Sequence, residues 1–355
     1  MLPSATPRAP GLSKDHALAA ALAAVHARWP DARPVGVRRC EQHTNPRLEV
    51  RYEDGRTLVV KRGEAEWVRQ RFAASHAACG LLRRRTGVVA PEPIPLPDAG
   101  RHPPLEVYWK VELVTLAESW PCLDAKGRAR ALRDWGRLLR RVHRVRPRGN
   151  GALPHAERAP GSLQAHLAAD LGERLLPAVR QTWPGGVDVV EALIDAVPAV
   201  ASRAGAPVLL HGDPHQGNVL CRMEGTRIRC SGVIDLEAAW SGPPEADVAV
   251  AELIHGPLFD PLPDGWAAEF RRGYGGVLDA AALAFYRAVH LANLGYHAAL
   301  TGLHGHAADL LQAARTAVEG LRRLLRRVRV PGRPREPERA SSGRCSPDTA
   351  SSCGR

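Results

Sequence analysis

Aromatic residues are scarce in this chain, at 5% of 355 positions, although the formal net charge is +12. Proteins that bind nucleic acid usually combine a basic face with aromatic side chains on which bases stack. The positive charge is also unevenly distributed, since residues 1–150 carry a net charge of +13, residues 151–320 of −8 and residues 321–355 of +7. We therefore expect no nucleic-acid partner.

Cysteines with metal-ligand or redox spacing are also missing. The seven cysteines are odd in number and none stands in a C-x-x-C motif, which argues against a disulfide framework and against a zinc site. No uncharged apolar run approaches the roughly 18 residues of a membrane-spanning helix, and the first residues lack the charged and apolar regions of a secretory signal. These features predict a cytoplasmic protein with reduced thiols and no membrane partner. Nothing in the sequence indicates an obligate protein partner.

The chain does contain a pair of polar segments between residues 211 and 247. Asp213 and Asn218 are five positions apart, the spacing of the Asp and Asn in the kinase catalytic loop H-R-D-x-x-x-x-N. Asp235 follows the apolar run 232–234, which predicts a short buried strand that would hold its carboxylate rigidly. Phosphoryl transfer from ATP needs an Asp near the attacking hydroxyl, and an Asn and a second Asp around magnesium. The pattern predicts Asp213 as the catalytic residue, and Asn218 and Asp235 as Mg²⁺ ligands.

Lysine is rare in this chain, and Lys61 lies at the end of a predicted strand. Only four of the 49 basic residues are lysines, so a basic position without special demands would be arginine. Lysine supplies a compact ammonium on a flexible stem. Residues 47–61 alternate apolar and polar around Asp54 and Gly55, which predicts a hairpin whose second strand ends in Lys61. The kinase pattern V-A-I-K places at this point the lysine that meets the α- and β-phosphates, so Lys61 is predicted to bind the nucleotide.

Residues 211–218 and 234–247 match the motifs H-G-D-x-H-x-x-N and I-D-x-x-x-x-x-x-G-x-x-x-x-D at every fixed position. They resemble the signature of the aminoglycoside phosphotransferase and choline kinase-like family, and the resemblance extends over about residues 35–320. It implies an α+β, bilobal protein-kinase-like fold that uses ATP and Mg²⁺, with a small antiparallel-sheet nucleotide lobe and a larger, mainly helical substrate lobe. It also implies that His211 and Asp247 brace the catalytic loop from beneath.

The acidic partner of Lys61 is expected on the helix predicted over residues 64–85. Counting back from the strand that follows this helix places His76 near the position of the kinase glutamate. Glu64 and Glu66 are the other candidates, nearer the start of the helix, where carboxylates also suit the helix dipole. We assign Glu66 as a support of the site and leave the other two open.

A strand predicted over residues 105–114 should lead into the hinge between the lobes. The family resemblance implies that backbone groups near Glu112 and Val114 bind the adenine. The loop at 41–46 contains no glycine, so the glycine-rich phosphate cover of protein kinases is not expected.

The predicted organisation is a flexible N-terminal arm at 1–14, a nucleotide-binding lobe at 15–114, a catalytic and substrate-binding lobe at 115–330, and a tail at 331–355. A chain of 355 residues with 45% hydrophobic residues can bury the core of one bilobal unit. The tail is rich in Pro, Gly, Ser and Arg and nearly free of large apolar side chains, so we expect it to be disordered.

These observations predict an ATP-dependent O-phosphotransferase that transfers the γ-phosphate to a hydroxyl of a small molecule. Residues 151–320, with a net charge of −8, should attract cations, which favours an aminoglycoside-like or other cationic antibiotic as the acceptor, in resistance or self-protection. A metabolic kinase with a choline-like, amino-alcohol or sugar substrate would share every catalytic residue. A nucleotide-binding pseudokinase is less favoured because Asp213, Asn218 and Asp235 are all present. A regulatory protein kinase is disfavoured because no A-P-E motif follows Asp235.

Overall fold

The computed structural model describes residues 14–40, 47–63, 65–96, 103–159, 161–224, 227–253 and 265–327. The predicted arm at 1–14, except its last residue, and the predicted tail at 331–355 lie outside these ranges. Within them, the chain forms a smaller lobe built on a sheet and a larger lobe built mainly from helices.

The described part of the smaller lobe consists of two helices and five strands. These are α1 (Lys14–Arg28), β1 (Pro34–Cys40), β2 (Arg47–Tyr52), β3 (Thr57–Arg62), α2 (Glu66–Arg85), β4 (Glu92–Pro93) and β5 (Leu105–Trp109). All strand pairs are antiparallel and follow the order β1-β2-β3-β5-β4. The predicted hairpin is formed by β2 and β3, and its turn contains Gly55 at a φ of 85°, a left-handed backbone that favours glycine.

Alternation along β2 and β3 buries one face of this sheet. Val50, Leu58 and Val60 are each at most 2% exposed and belong to one apolar core. Helix α1 covers this core through Val25, which is 1% exposed. Because successive side chains of a strand point to opposite faces, Lys61 projects away from this core.

In the described residues the larger lobe contains ten α-helices and six short strands. The helices are α3 (Leu116–Ser119), α4 (Ala125–Val142), α5 (His155–Arg158), α6 (Leu163–Ala168), α7 (Leu176–Thr182), α8 (Val187–Ala201), α9 (Glu245–Leu253), α10 (Trp266–Tyr274), α11 (Ala280–Leu300) and α12 (His304–Arg327). The strands are β6 (Val114–Thr115), β7 (Gly151–Ala152), β8 (Val208–Leu210), β9 (Val219–Glu224), β10 (Arg227–Val233) and β11 (Trp240–Gly242). They form two sheets, in the orders β10-β9-β6 and β7-β11-β8. None of the described helices combines the length and apolarity that crossing a membrane requires.

Helix α4 organises one half of the larger lobe. Asp124 caps its start by accepting a hydrogen bond from the N–H of Gly127 at 2.6 Å. On the buried face, Trp135 packs against α10, with ring centroids 4.9 Å from Phe270 and 6.1 Å from Trp266. The opposite face of α4 carries exposed arginines.

The two lobes are joined by the connection at 110–113 and by backbone pairing. The strand predicted over 105–114 is divided, since β5 ends at Trp109 and β6 begins at Val114. The reason is a change of partner, because β5 pairs with β3 of the smaller lobe whereas β6 pairs with β9 of the larger one. A parallel bridge between Val89 and Gly232 forms a further link.

Candidate active site

The loop after β8 carries the predicted catalytic aspartate and ends in a 3₁₀ turn, Gln216–Asn218. The Asn218 side chain donates from Nδ2 to the backbone oxygen of Asp213 at 3.0 Å, and the Asn218 N–H donates to the oxygen of His215 at 2.9 Å. These bonds fold the loop so that Asp213 and Asn218 lie together. Asn218 is 5% exposed, whereas 43% of the Asp213 side chain is exposed to solvent.

His215 lies beside the Asp213 carboxylate. Its Nδ1 accepts a hydrogen bond from the N–H of Gly217 at 3.0 Å, which leaves the ring proton on Nε2. The Nε2 atom is 3.6 Å from Oδ2 of Asp213. Burial lowers the pKa of His215, against the opposing effect of Asp213, so the ring is neutral at neutral pH.

Asp247 on α9 holds the start of the catalytic loop. Its buried carboxylate accepts hydrogen bonds from the backbone N–H of His211 at 2.7 Å and of Gly212 at 2.8 Å. His143, at the end of α4, places Nε2 3.0 Å from the same carboxylate and Nδ1 2.9 Å from the hydroxyl of Tyr274. The network ties α4, α9 and α10 to the loop, so the loop is positioned by rigid elements.

The path of the loop requires glycine at position 212. Gly212 has a φ of 83°, and an added Cβ would lie 2.0 Å from the backbone oxygen of Ala238. His211 adds a second connection, since its Nε2 donates to the oxygen of Ile234 at 2.9 Å while its Nδ1 accepts from the N–H of Asp213 at 3.3 Å. The two polar segments of the sequence are therefore in direct contact.

Asp235 follows β10 and adopts a left-handed backbone, with φ 61° and ψ 56°. For a residue other than glycine this conformation costs about 1 to 3 kcal/mol, which the surrounding contacts must offset. Its Oδ1 lies 3.0 Å from Nζ of Lys61, and 47% of its side chain is exposed. Burial acts to raise the pKa of Asp235, but Lys61 outweighs burial and the pKa is lowered, so the carboxylate is ionised.

Lys61 of β3 is surrounded by three carboxylates. Its Nζ lies 2.7 Å from Oε1 of Glu237, 3.0 Å from Oδ1 of Asp235 and 3.5 Å from Oε2 of Glu106. Burial acts to lower the pKa of Lys61, but Tyr108 and the carboxylates outweigh burial and raise it. Burial raises the pKa of Glu106 to about 7, against the effect of Lys61. The lysine is therefore a fixed positive charge in the cleft.

Glu106 and Glu237 are site residues that the sequence patterns do not identify. Glu237 stands two positions after Asp235, so its place in the motif could have drawn attention to it. Glu106 lies directly opposite Lys61 in the register of β3 and β5, a relation that is visible only once the strands are paired.

The predicted acidic partner on α2 is not among the described contacts of Lys61. Glu64 and the side chain of Glu66 lie outside the described residues, so the assignment of Glu66 stays a prediction. Burial lowers the pKa of His76, and its Nε2 has no hydrogen-bond partner among the described residues. The carboxylates that the structure brings to Lys61 come instead from β5 and from the segment after β10.

Both predicted hinge residues lie where the chain passes between the lobes. Glu112 is exposed, and the neighbouring N–H of Leu113 donates to the oxygen of Val111 at 2.9 Å. Val114 is 42% exposed and pairs with Cys221 of β9. A role of these backbone groups in binding adenine stays a prediction.

Helix α11 supplies one neutral polar group, His290, on the Asp213 side of the site. Burial lowers the pKa of His290 to about 4, although Asp213 acts on it electrostatically in the opposite direction. Neither Nε2 of His290 nor the hydroxyl of Tyr286 has a hydrogen-bond partner among the described residues. The Tyr286 ring lies 6.3 Å from that of Trp240.

Asn218 and Asp235 present oxygen donors that suit Mg²⁺. Asp235 offers an ionised carboxylate, and the Asn218 amide nitrogen is engaged with Asp213, which leaves its oxygen for a cation. Magnesium is usually held by one or two such protein groups together with substrate phosphates and water. Among the described residues, no three His, Cys, Asp or Glu side chains converge to form a protein-only metal centre. The donor set fits a magnesium ion that also binds phosphate oxygens.

A lysine of the small sheet that meets an aspartate of the large lobe, beside a braced Asp–Asn loop, is the arrangement of a kinase-type phosphotransferase. A family model described as the phosphotransferase enzyme family matches residues 36–289, more than half of the chain. The chain belongs to this phosphotransferase family, APH, as the motifs predicted. Membership implies a kinase-type enzyme that uses a nucleotide.

Solved structures of three phosphotransferases share the fold. The apo form of a thermostable mutant of aminoglycoside phosphotransferase APH(4)-Ia aligns with a TM-score of 0.61 at 15% identity, over 84% of this chain and 98% of that chain. The GDP complex of wild-type aminoglycoside 2'-phosphotransferase-IIIa gives a TM-score of 0.57 at 14% identity, over 87% and 99%. The apoenzyme of macrolide 2'-phosphotransferase MphH from Brachybacterium faecium gives 0.52 at 18% identity, over 84% and 97%. The predicted α+β, bilobal protein-kinase-like fold is confirmed, and no curated protein sequence matches the chain.

Proposed function

We propose that the protein is an ATP- and Mg²⁺-dependent O-phosphotransferase that moves the γ-phosphate of ATP to a hydroxyl group of a small molecule. The observation that carries this proposal is one cluster of side chains. The exposed Asp213 carboxylate lies next to Asn218, and Asp235 lies 3.0 Å from the buried Lys61 across the cleft. These are the groups that phosphoryl transfer requires, in one place.

In this proposal Asp213 orients the acceptor hydroxyl and accepts its proton as the new P–O bond forms, while the bond from the γ-phosphorus to the bridging oxygen breaks and ADP leaves. The neutral ring of His215, 3.6 Å away, leaves the carboxylate charge in place. Asn218 and Asp235 would hold magnesium, which would supply positive charge to the phosphates during transfer. Lys61 adds a fixed cation for the α- and β-phosphates, since the acidic groups around it keep it charged. Most of the rate then arises from positioning and electrostatics.

Other residues support the site in this proposal. His211 and Asp247 hold the backbone of the catalytic loop through the hydrogen bonds described above. Glu112 and Val114 lie at the hinge, where their backbone groups would take the adenine. The reaction is placed in the cytoplasm, in line with the five free cysteines of the described residues.

The acceptor is proposed to be a cationic small molecule of the aminoglycoside-like class, in antibiotic resistance or self-protection. Residues 151–320 carry a net charge of −8. The Asp213 and Asp235 side chains of this region are 43% and 47% exposed at the site. Exposed negative charge in a cleft raises the local concentration of cations. Two of the folds reported above belong to aminoglycoside phosphotransferases, which supports the same class.

A metabolic small-molecule kinase is the second candidate. The neutral ring of His290, which Asp213 affects electrostatically, favours an acceptor that offers hydroxyl groups as well as charge. A choline-like, amino-alcohol or sugar substrate would use the same catalytic residues and differ only in its pocket contacts.

An acceptor screen tests the proposal. ATP consumption would be measured with Mg²⁺ present and with panels of hydroxylated antibiotics and metabolites, for the wild type and for Asp213→Ala. We expect acceptor-dependent ADP formation with the wild type that is lost in the variant. ATP binding without acceptor-dependent turnover across both panels would instead identify a nucleotide-binding pseudokinase and overturn the proposal.

A further inference from the structure

A second cavity lies outside the candidate active site, on the arginine-rich face of α4. It has a volume of about 610 Å³, within the roughly 300 to 1,000 Å³ of small-ligand sites. Its charged lining consists of Asp134, Arg137, Arg140, Arg141, Arg144 and Arg229. We call it the arginine cavity. Five guanidinium groups against one carboxylate give its lining a net charge of +4.

The protein itself neutralises little of this charge. The one lining carboxylate, Asp134, pairs with Arg137. Arg140 donates to the backbone oxygen of Tyr274 at 3.0 Å, and Arg141 donates to that of Cys230 at 3.3 Å. Backbone carbonyls hold these guanidinium groups in position but do not cancel their charge.

The side chains of Arg144 and Arg229 form no ion pair or hydrogen bond with any described residue. Both are exposed, and they crowd Arg141 from two elements, since burial together with Arg229 and Arg144 lowers the pKa of Arg141. Like charges held this close repel each other. Among the described residues, these two guanidinium groups therefore have no negatively charged partner.

Capping of α4 explains part of this cluster. Arginines in the last turn of a helix interact favourably with its dipole, which accounts for Arg140 and Arg141. Arg229 comes from β10, and Arg144 lies beyond the end of α4 at Val142. The dipole does not explain why these two side chains complete the same cavity.

We propose that the arginine cavity binds a small multivalent phosphate anion, of the size of a di- or triphosphate. Arginine forms paired hydrogen bonds to phosphate oxygens, and several guanidinium groups around one volume suit a ligand with several charges. A cavity of about 610 Å³ fits a compact anion, whereas a nucleic acid is bound by an extended basic stripe. This site is separate from the proposed transfer reaction and does not depend on it.

Binding of inorganic tripolyphosphate, measured by isothermal titration calorimetry without magnesium at low ionic strength, tests this assignment. The test variant is Arg144→Ala with Arg229→Ala. The matched control is Arg322→Ala with Arg323→Ala, which removes two exposed arginines from α12 and the same total charge. Because the side chains of Arg144 and Arg229 form no described hydrogen bond or ion pair, the test variant should keep the wild-type melting temperature or exceed it.

We expect the test variant to bind tripolyphosphate at least about tenfold more weakly than the wild type, and the control to stay within about twofold, since each lost guanidinium removes charge-assisted bonds. Equal affinities for the wild type and the test variant would overturn the proposal, and would place any binding in the candidate active site. Equal affinity for sulfate and tripolyphosphate would also overturn it. Single-stranded DNA would instead be the ligand class if it bound more tightly than tripolyphosphate. If that binding also depended on Arg144 and Arg229, it would overturn the proposal of a small anion in favour of an extended one.

Discussion

At the scale of single residues, Lys61 is held by acidic side chains of the protein before any nucleotide binds. Three carboxylates lie within 3.5 Å of its ammonium group, so the cluster has more negative than positive groups. Burial raises the pKa of Glu106 to about 7, which allows this carboxyl group to be protonated and the excess to be reduced. Phosphate groups near Lys61 would therefore meet an ammonium group that stays protonated but that also pairs with nearby carboxylates.

The metal assignment predicts the effect of Asp235→Asn. The change removes a full negative charge from the proposed magnesium site but keeps the shape of a half-exposed side chain. We expect kcat to fall by on the order of 10² to 10³ or more, as for other losses of transition-state electrostatics, while the melting temperature stays close to that of the wild type. Asp188→Asn, at an exposed carboxylate paired with Arg315, is the matched control and should keep its activity. Turnover near the wild-type rate in Asp235→Asn would refute the assignment.

His290 predicts a pH dependence of stability. Its pKa is about 4 in the folded protein and about 6.5 when unperturbed, so the unfolded chain binds more protons between these values. The free energy of unfolding should therefore fall as the pH drops from about 6.5 to about 4. At pH 4.5 this histidine alone should account for a loss of about 2 to 3 kcal/mol relative to pH 7.

The comparison variant for this pH effect is His290→Gln, which cannot titrate in this range. Urea unfolding at pH 7 and pH 4.5 should show a smaller loss of stability in His290→Gln than in the wild type. His304→Gln, at an exposed histidine, should behave like the wild type. Parallel pH curves for His290→Gln and the wild type would show that His290 is not held neutral by the fold.

Single residues differ in how far the sequence could predict them. Asp213, Asn218 and Asp235 lie in short segments with fixed spacing, and the structure brings all three into one site. Glu106 could not be predicted, because it meets Lys61 only through the register of strands 45 positions apart. The left-handed backbone of Asp235 is likewise set by tertiary contacts and could not be predicted from the residue types.

The geometry of the catalytic loop depends on one small residue, Gly212. Gly212→Ala would place a Cβ 2.0 Å from the Ala238 oxygen, at a φ of 83° that side chains rarely adopt. We expect a loss of about 1 to 3 kcal/mol in the free energy of unfolding together with a large loss of activity, because the strain falls on the loop itself. Gly205→Ala is the matched control, since a Cβ there meets nothing within 4 Å. Equal stability of the two variants would show that the loop can move away from Ala238.

The hinge and α2 show why some elements differ from their predicted form. The apolar run at 105–114 has the pattern of one strand, yet the chain changes its pairing partner between Trp109 and Val114. Local alternation cannot reveal such a change, because both halves alternate in the same way. For α2, the predicted helix at 64–85 corresponds closely to Glu66–Arg85, since helical periodicity is a local property.

In the whole molecule, residues 1–150 are net positive and residues 151–320 are net negative. This separation predicts that salt changes the rate at which the acceptor is captured. If exposed carboxylates attract a cationic acceptor, kcat/KM for that acceptor should fall as salt shortens the Debye length from about 30 Å at 0.01 M to about 8 Å at 0.15 M. Steady-state kinetics at fixed saturating ATP would measure this. A neutral or anionic best substrate, or a kcat/KM that does not change with salt, would exclude the cationic class and leave the transferase assignment intact.

At the scale of the molecule, the bilobal fold could be predicted because the motif pair resembles the signature of a family that has this fold. The net charges of residues 1–150 and 151–320 could be counted from the sequence as well. The arginine cavity could not, since it is completed by Arg229 from β10 against the face of α4, and a count of residues along the chain does not show which arginines converge.

Transfer of labelled phosphate from γ-³²P-ATP to an acceptor, compared between the wild type and Asp213→Ala, tests the central proposal most directly. The best acceptor from the screen would be used, and ATP affinity would be measured in parallel. We predict a labelled acceptor with the wild type, a kcat lower by on the order of 10² to 10⁴ in Asp213→Ala, and nearly unchanged ATP affinity, because the aspartate acts on the hydroxyl and not on the nucleotide. An unlabelled acceptor with the wild type, or a loss of ATP affinity in Asp213→Ala as large as the loss of transfer, would contradict the proposed role of Asp213.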